Sequence, residues 1–164
     1  MGPLAVLDRF RQIEPKLLVC DEPVSSLDVS IQAQILNILQ EMKERYGLSL
    51  LFISHDLSVV RAISDRIVVM YLGKVCEVST PDELSEKPRH HYTHALVSSV
   101  PIPDPTIKNR RAILQGEPPS PTNPPSGCRF RTRCPAATDL CASEEPQLRE
   151  VAQGQFVACH HPRD

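Results

Sequence analysis

LLVCDEPVSSLDVS, residues 17–30, passes from an unbroken apolar run to two adjacent acids within its first six residues. Leu17, Leu18, Val19 and Cys20 have the composition of a strand that fills a parallel sheet, so Lys16 to Cys20 is expected to be extended. From Val29 to Tyr46 the apolar residues Ile31, Ile35, Ile38, Leu39 and Met42 fall on one face of a helix of about five turns. Gly47 is suited to end it. Ser49 to Ile53 (SLLFI) reads as a second strand, expected to be buried on both faces. Strand, helix, strand is a βαβ unit. Leu57 to Ser64 reads as a short helix, and RIVVMYLGKVCEV, residues 66–78, as two strands turning at Gly73.

In an open parallel sheet, ligands sit beyond the carboxyl ends of the strands. Asp21 and Glu22 follow the first strand, and Ser54, His55 and Asp56 follow the second. Neighbouring strands would bring two acids and an imidazole to one edge. A strand-end aspartate can hold Mg²⁺ beside a nucleotide's phosphates. A glutamate beside it can polarise an attacking water, and an imidazole can orient that water or contact the γ-phosphate. For a bare apolar run followed by two acids, plain capping of the next segment is the stronger reading, with His55 beginning the next helix, and SHD alone is weaker evidence still.

Composition narrows the classes. With 164 residues, 41% hydrophobic and 23% charged, the chain suits one ordinary domain or a smaller one with an extension. A formal charge of −2 gives no global attraction to nucleic acid. No apolar run is long enough to span a bilayer, and the start lacks the pattern of a secretory signal, so a cytoplasmic chain is expected. Three of the 16 prolines precede Thr80, and eight lie between Pro101 and Ser126. Four of the six cysteines come later still. The expected organisation is an atypical segment at 1–14, a regular α/β part at 15–100, a stiff proline-rich linker at 101–126 and a cysteine-bearing tail at 127–164.

With those pieces in place, LLVCDEP resembles the Walker B strand of an ATP-binding cassette ATPase. SSLD, residues 25–28, is similar to that family's D-loop, and ISHD, residues 53–56, to its switch-histidine segment. MYLGKVCEV, the stretch TPDELSEKPRHHYTHALVSSVPIPDP and GEPPSPTNPPSGCRFRTRCP resemble ATP-binding subunits of oligopeptide and dipeptide importers. His91 stands where such subunits usually carry proline. The resemblance implies a partial P-loop NTPase core, an α/β parallel sheet with a proline-rich, cysteine-containing C-terminal extension. It implies that Asp21 assists Mg²⁺, Glu22 activates water and His55 senses the γ-phosphate of ATP. Ser26, Leu27 and Asp28 would line the contact with a second ATPase subunit. Membrane-spanning permeases would be the other partners, placing the chain at the inner face of the membrane.

No GxxxxGK[ST] phosphate loop occurs in the chain. The family's Q-loop and LSGGQ signature are missing too, and MGPLAVLDRFRQI at the start matches neither. The expectation is a C-terminal part of such an ATPase, inactive on its own. The alternative, from another class, is a non-catalytic metal-binding or interaction module that keeps only the tail's role.

Cys20 and Cys76 lie in apolar strands and read as small core residues. His90 and His94 are spaced for a helical metal pair, though no cysteine or acid accompanies them. Arg129, Arg131 and Arg133 alternate around Phe130 as a phosphate-binding stripe could. Yet residues 101–164 carry eight Lys/Arg against seven Asp/Glu, which favours a solvated face. Cys128, Cys134, Cys141 and Cys159 are separated by five, six and seventeen residues. In a reducing compartment four thiols read as metal ligands rather than disulfides, and a tail so poor in apolar residues needs a staple. Zinc usually takes a tight C-x₂₋₄-C pair, absent here, while wider loops suit a [4Fe–4S] cluster. The family resemblance points to the cluster as well, since some peptide-importer ATPases carry one on such a tail. Cluster, zinc and no metal all remain open.

Overall fold

The computed structural model describes residues 15–25, 27–100, 114 and 116–164. The expected segment 1–14, the first half of the proline-rich linker and Ser26 lie outside the described residues. The chain divides into two compact units, residues 1–63 and 64–164.

In the first unit, β1 (Leu17–Asp21) and β2 (Ser49–Ile53) run parallel, in register from Leu17 opposite Ser49 to Asp21 opposite Ile53. Between them lies α1 (Val29–Tyr46), and α2 (Leu57–Ile63) follows β2. Gly47 ends α1 in the left-handed region at φ 62°, and its N–H donates to the Lys43 carbonyl. Asp56 caps α2, its Oδ1 accepting from the N–H groups of Ser58 (2.9 Å) and Val59 (3.4 Å).

Two expectations fail here in instructive ways. SLLFI is not buried on both faces: Leu17, Val19, Leu51 and Ile53 are exposed, and only the alternating residues are half-covered. The parallel sheet has two strands, and among the described residues no further strand pairs with it. The helical stripe also starts one residue late. Ile31 is 40% exposed, and the half-covered face begins with Gln32 before running through Ile35, Leu39 and Met42.

The second unit is built on an antiparallel sheet of β3 (Ile67–Tyr71), β4 (Lys74–Ser79), β5 (Arg149–Ala152) and β6 (Gln155–Val157), in the order β3-β4-β6-β5. The β3–β4 hairpin turns through Leu72 (φ 46°) and Gly73 (φ 76°), the two positive values that a primed two-residue turn demands. After β4 come α3 (Pro81–Glu86) and α4 (His91–Ser99), and α5 (Asp139–Ser143) lies within the tail. A reciprocal capping box between Thr80 and Glu83 starts α3.

The tail contributes directly to this unit's core. β6 pairs with β4, Glu77 opposite Val157 and Val78 opposite Phe156. Phe130 is wholly buried against Tyr71 (5.3 Å, edge-on), Tyr92 (5.4 Å) and His90 (5.8 Å). The staple expected from a metal is supplied in large part by a strand and an aromatic ring.

Candidate functional site

At the carboxyl ends of β1 and β2 the chain places its acids and its imidazole together. Asp21 is the last residue of β1 and is exposed. Glu22 extends the ladder one step, its N–H donating to the Ile53 carbonyl at 2.9 Å. Glu22 then turns into the left-handed region at φ 45°, a conformation that costs a non-glycine residue about 1–2 kcal/mol. Its Oε1 lies 3.2 Å from His55 Nδ1, with both side chains open to water. Ser25 holds the Glu22 carbonyl through its backbone N–H (3.4 Å) and its hydroxyl (3.2 Å).

A carboxylate on Nδ1 favours the proton on that nitrogen and leaves Nε2 as the other pole of the ring. Asp56 has a structural task, the cap of α2. Asp28 occupies the N-cap position of α1 yet makes no capping hydrogen bond with its side chain. Leu27 is exposed beside it.

Residues 76–141 match the family described as the oligopeptide/dipeptide transporter, C-terminal region. A putative peptide import ATP-binding protein of Brucella ovis is 56% identical over 92% of this chain and 48% of its own length. The oligopeptide transport ATP-binding protein OppF of Salmonella typhimurium is 58% identical over 90% of this chain and 44% of its own. AppF of Bacillus subtilis, of the same description, is 54% identical over 93% and 47%. Over most of its length the chain is thus similar to ATP-binding proteins of oligopeptide transport. It spans about half the length of these relatives. No helix among the described residues is long and apolar enough to cross a membrane.

The tail cysteines share one neighbourhood. The Cys128 N–H donates to the Cys141 carbonyl at 2.8 Å, and the Thr138 hydroxyl lies 3.7 Å from Cys141 Sγ. Burial pushes the Cys159 thiol up to about 11, with Cys134, Cys128 and Cys141 adding to the rise. Cys76 is pushed up to about 12, mainly by burial and then by Cys128 and Cys159. Cys76 and Cys128 both line a cavity of about 310 Å³. All six cysteines are free thiols. The donor types suit a tetrathiolate centre, but the arrangement does not fit one: among the described residues no three His, Cys, Asp or Glu side chains are grouped to hold a metal ion.

Nor do His90 and His94 form a metal pair. His90 is buried at the N-cap of α4, its Nδ1 accepting from the Tyr92 N–H at 3.1 Å. Two of the three arginines in the stripe are spent on backbone: Arg129 donates to the Leu72 carbonyl at the hairpin turn, and Arg131 Nε to the Ser126 carbonyl at 2.9 Å.

Sequence reasoning passed over two residues. Glu77 is completely buried, yet it sits in an apolar strand whose pattern gave no reason to single it out. Gln32 occupies the first inward position of α1, where its side-chain N–H₂ donates to the carbonyls of Val24 and Leu27, both at 3.1 Å. The sign of its role is a polar residue in phase with an apolar stripe.

Proposed function

We propose that, within an ATP-binding subunit of an oligopeptide or dipeptide importer, this chain carries the residues on the hydrolysis side of the nucleotide. The observation that carries the reading is the Glu22–His55 contact at the shared end of two parallel strands. Glu22 accepts the proton of the attacking water, and His55 orients toward the γ-phosphate through Nε2 while Nδ1 faces Glu22. Asp21, an exposed oxygen donor just before them, suits Mg²⁺, which when bound neutralises charge on the phosphates. Ser26, Leu27 and Asp28 meet a second ATPase subunit, and the uncapped Asp28 carboxylate is free for that contact. Membrane-spanning permeases complete the assembly, with this subunit peripheral at the cytoplasmic face. The parallel pair β1–β2 is then part of a P-loop NTPase core.

The deciding experiment uses a complete subunit bearing this segment. Glu22→Gln should lower ATP turnover by about a hundredfold or more while sparing ATP affinity, because only the base is lost. Unchanged turnover would remove the reading. The 164-residue chain alone, with no glycine-rich phosphate loop in its sequence, should show no MgATP binding by calorimetry. Micromolar binding would contradict that.

A second reading, a metal-holding or interaction module in the tail, draws support from the close placement of Cys128 and Cys141, the Cys128 N–H donating to the Cys141 carbonyl at 2.8 Å. In this reading Cys128, Cys134, Cys141 and Cys159 would be the ligands of a [4Fe–4S] cluster, or of zinc in its place. Anaerobically purified protein should then be brown, with about four irons per chain, and Cys134→Ser should bleach it. Colourless protein with one zinc would replace the cluster, and metal-free protein would end this reading.

A further inference from the structure

We infer that Gln32 is a positioning residue that fixes Val24 and Leu27 ahead of α1 and, through them, the orientation of Glu22; the inference rests on the hydrolysis-side reading above. A primary amide has two N–H donors, and Gln32 commits them to the carbonyls of Val24 and Leu27, both at 3.1 Å. Its own backbone N–H donates to the Asp28 carbonyl at 2.9 Å. The side chain therefore grips two carbonyls ahead of the helix, and the backbone N–H of the same residue makes the first-turn helix bond to a third. The loop closes on itself at the same place, the Leu27 N–H donating to the Val24 carbonyl at 3.2 Å.

Asp28 is at the N-cap position but does not cap, so α1 holds its leading loop by Gln32 instead of by the usual cap. Val24 is buried and anchors one end, while Leu27, 37% exposed, and Asp28 face outward at the other. The loop reaches Glu22 through Ser25, whose N–H and hydroxyl hold the Glu22 carbonyl. Glu22 needs that hold, because its left-handed backbone is a conformation a glutamate does not adopt without support. Gln32 thus ties the outward face of the loop and the carboxylate facing His55 to one fixed point on α1. Loss of the grip leaves Val24, Leu27 and the Ser25 hold on Glu22 without their anchor on α1.

The test is made in the complete subunit assembled with its second ATPase subunit. Gln32→Ala, and Gln32→Glu, which keeps the shape but has no donor, should each lower kcat about tenfold with the KM for ATP within about twofold. Gln32→Arg, which restores donors to both carbonyls, should recover most of the loss. In the chain itself, hydrogen exchange at the Leu27 amide should quicken in the alanine and glutamate variants while that of α1 beyond its first turn is unchanged. Wild-type turnover in Gln32→Glu, with Glu22→Gln inactive beside it, overturns the inference and leaves the hydrolysis-side reading standing. Unchanged turnover in Glu22→Gln overturns that reading and this inference with it.

Discussion

Glu22 Oε1 lies 3.2 Å from His55 Nδ1, two residues 33 positions apart that meet because β1 and β2 are parallel neighbours in register. The contact is open to water, so as an ion pair it adds little to stability. The left-handed backbone at Glu22 works against stability. A strained residue that contributes so little to the fold is expected to be kept for what its side chain does.

Glu22→Gly separates those two effects. Glycine adopts φ 45° without penalty, so the variant should unfold no earlier than the parent and could gain about 1 kcal/mol. In a complete subunit it should nevertheless lose ATP turnover. Denaturant unfolding beside turnover checks both; a markedly less stable glycine variant would show that the carboxylate is structural.

His90 gives the second unit an acid limb. Burial pushes its imidazole down to about 4, with His91 adding to the effect, against an ordinary value of 6.5. The unfolded chain therefore takes up a proton that the folded chain refuses. The stability is fully present above about pH 6.5 and is lost progressively as pH falls toward 4, by about 3 kcal/mol in all. His91 and His94, also lowered mainly by burial, act in the same direction. His90→Asn keeps an N-cap acceptor but cannot titrate, and should flatten the fall of melting temperature between pH 6.5 and 4. An equal slope in that variant would assign the acid limb elsewhere.

Glu77 joins the tail to the rest of its unit. Its carboxylate accepts from the Arg89 N–H (3.0 Å), the His90 N–H (2.8 Å) and Gln155 Nε2 (3.0 Å), and Gln155 also donates to the Lys87 carbonyl at 3.0 Å. Glu77→Ala strands three donors in the interior and should cost about 3 kcal/mol or more. Limited proteolysis should show the 149–164 segment cut before residues 67–79. Wild-type resistance and melting would rule out this latch.

Gly127 is a steric requirement. A Cβ there would stand 2.4 Å from the Cys141 carbonyl oxygen and 2.9 Å from that of Ala142, at φ 61°. Gly127→Ala should cost upward of about 2 kcal/mol. Gly47 has the same backbone sign but open space around it, so Gly47→Ala should cost only about 1 kcal/mol. Equal losses in the two variants would show that backbone conformation alone sets the cost.

The linear chain by itself determined the local elements. Apolar periodicity placed α1, β1 and β2 within a residue of where they lie, and Gly47 and Gly73 marked a helix end and a hairpin turn, because these signals depend only on neighbours in sequence. The meeting of Glu22 and His55 was legible for a related reason: parallel neighbouring strands share their carboxyl ends. Burial was decided only in three dimensions. Leu51 and Ile53 read as core yet lie on an uncovered face, while Glu77 and Gln155, polar residues that sequence reasoning passed over, are buried together, 78 residues apart in the chain. Hydrogen bonding by Gln32 was equally hidden, since an amide's partners depend on where a loop returns, and composition carries no record of that. The tail shows the same division. Four thiols suggested a common metal site that the described residues do not assemble, because where the thiols lie depends on how β6 and Phe130 dock, which spacing along the chain does not determine.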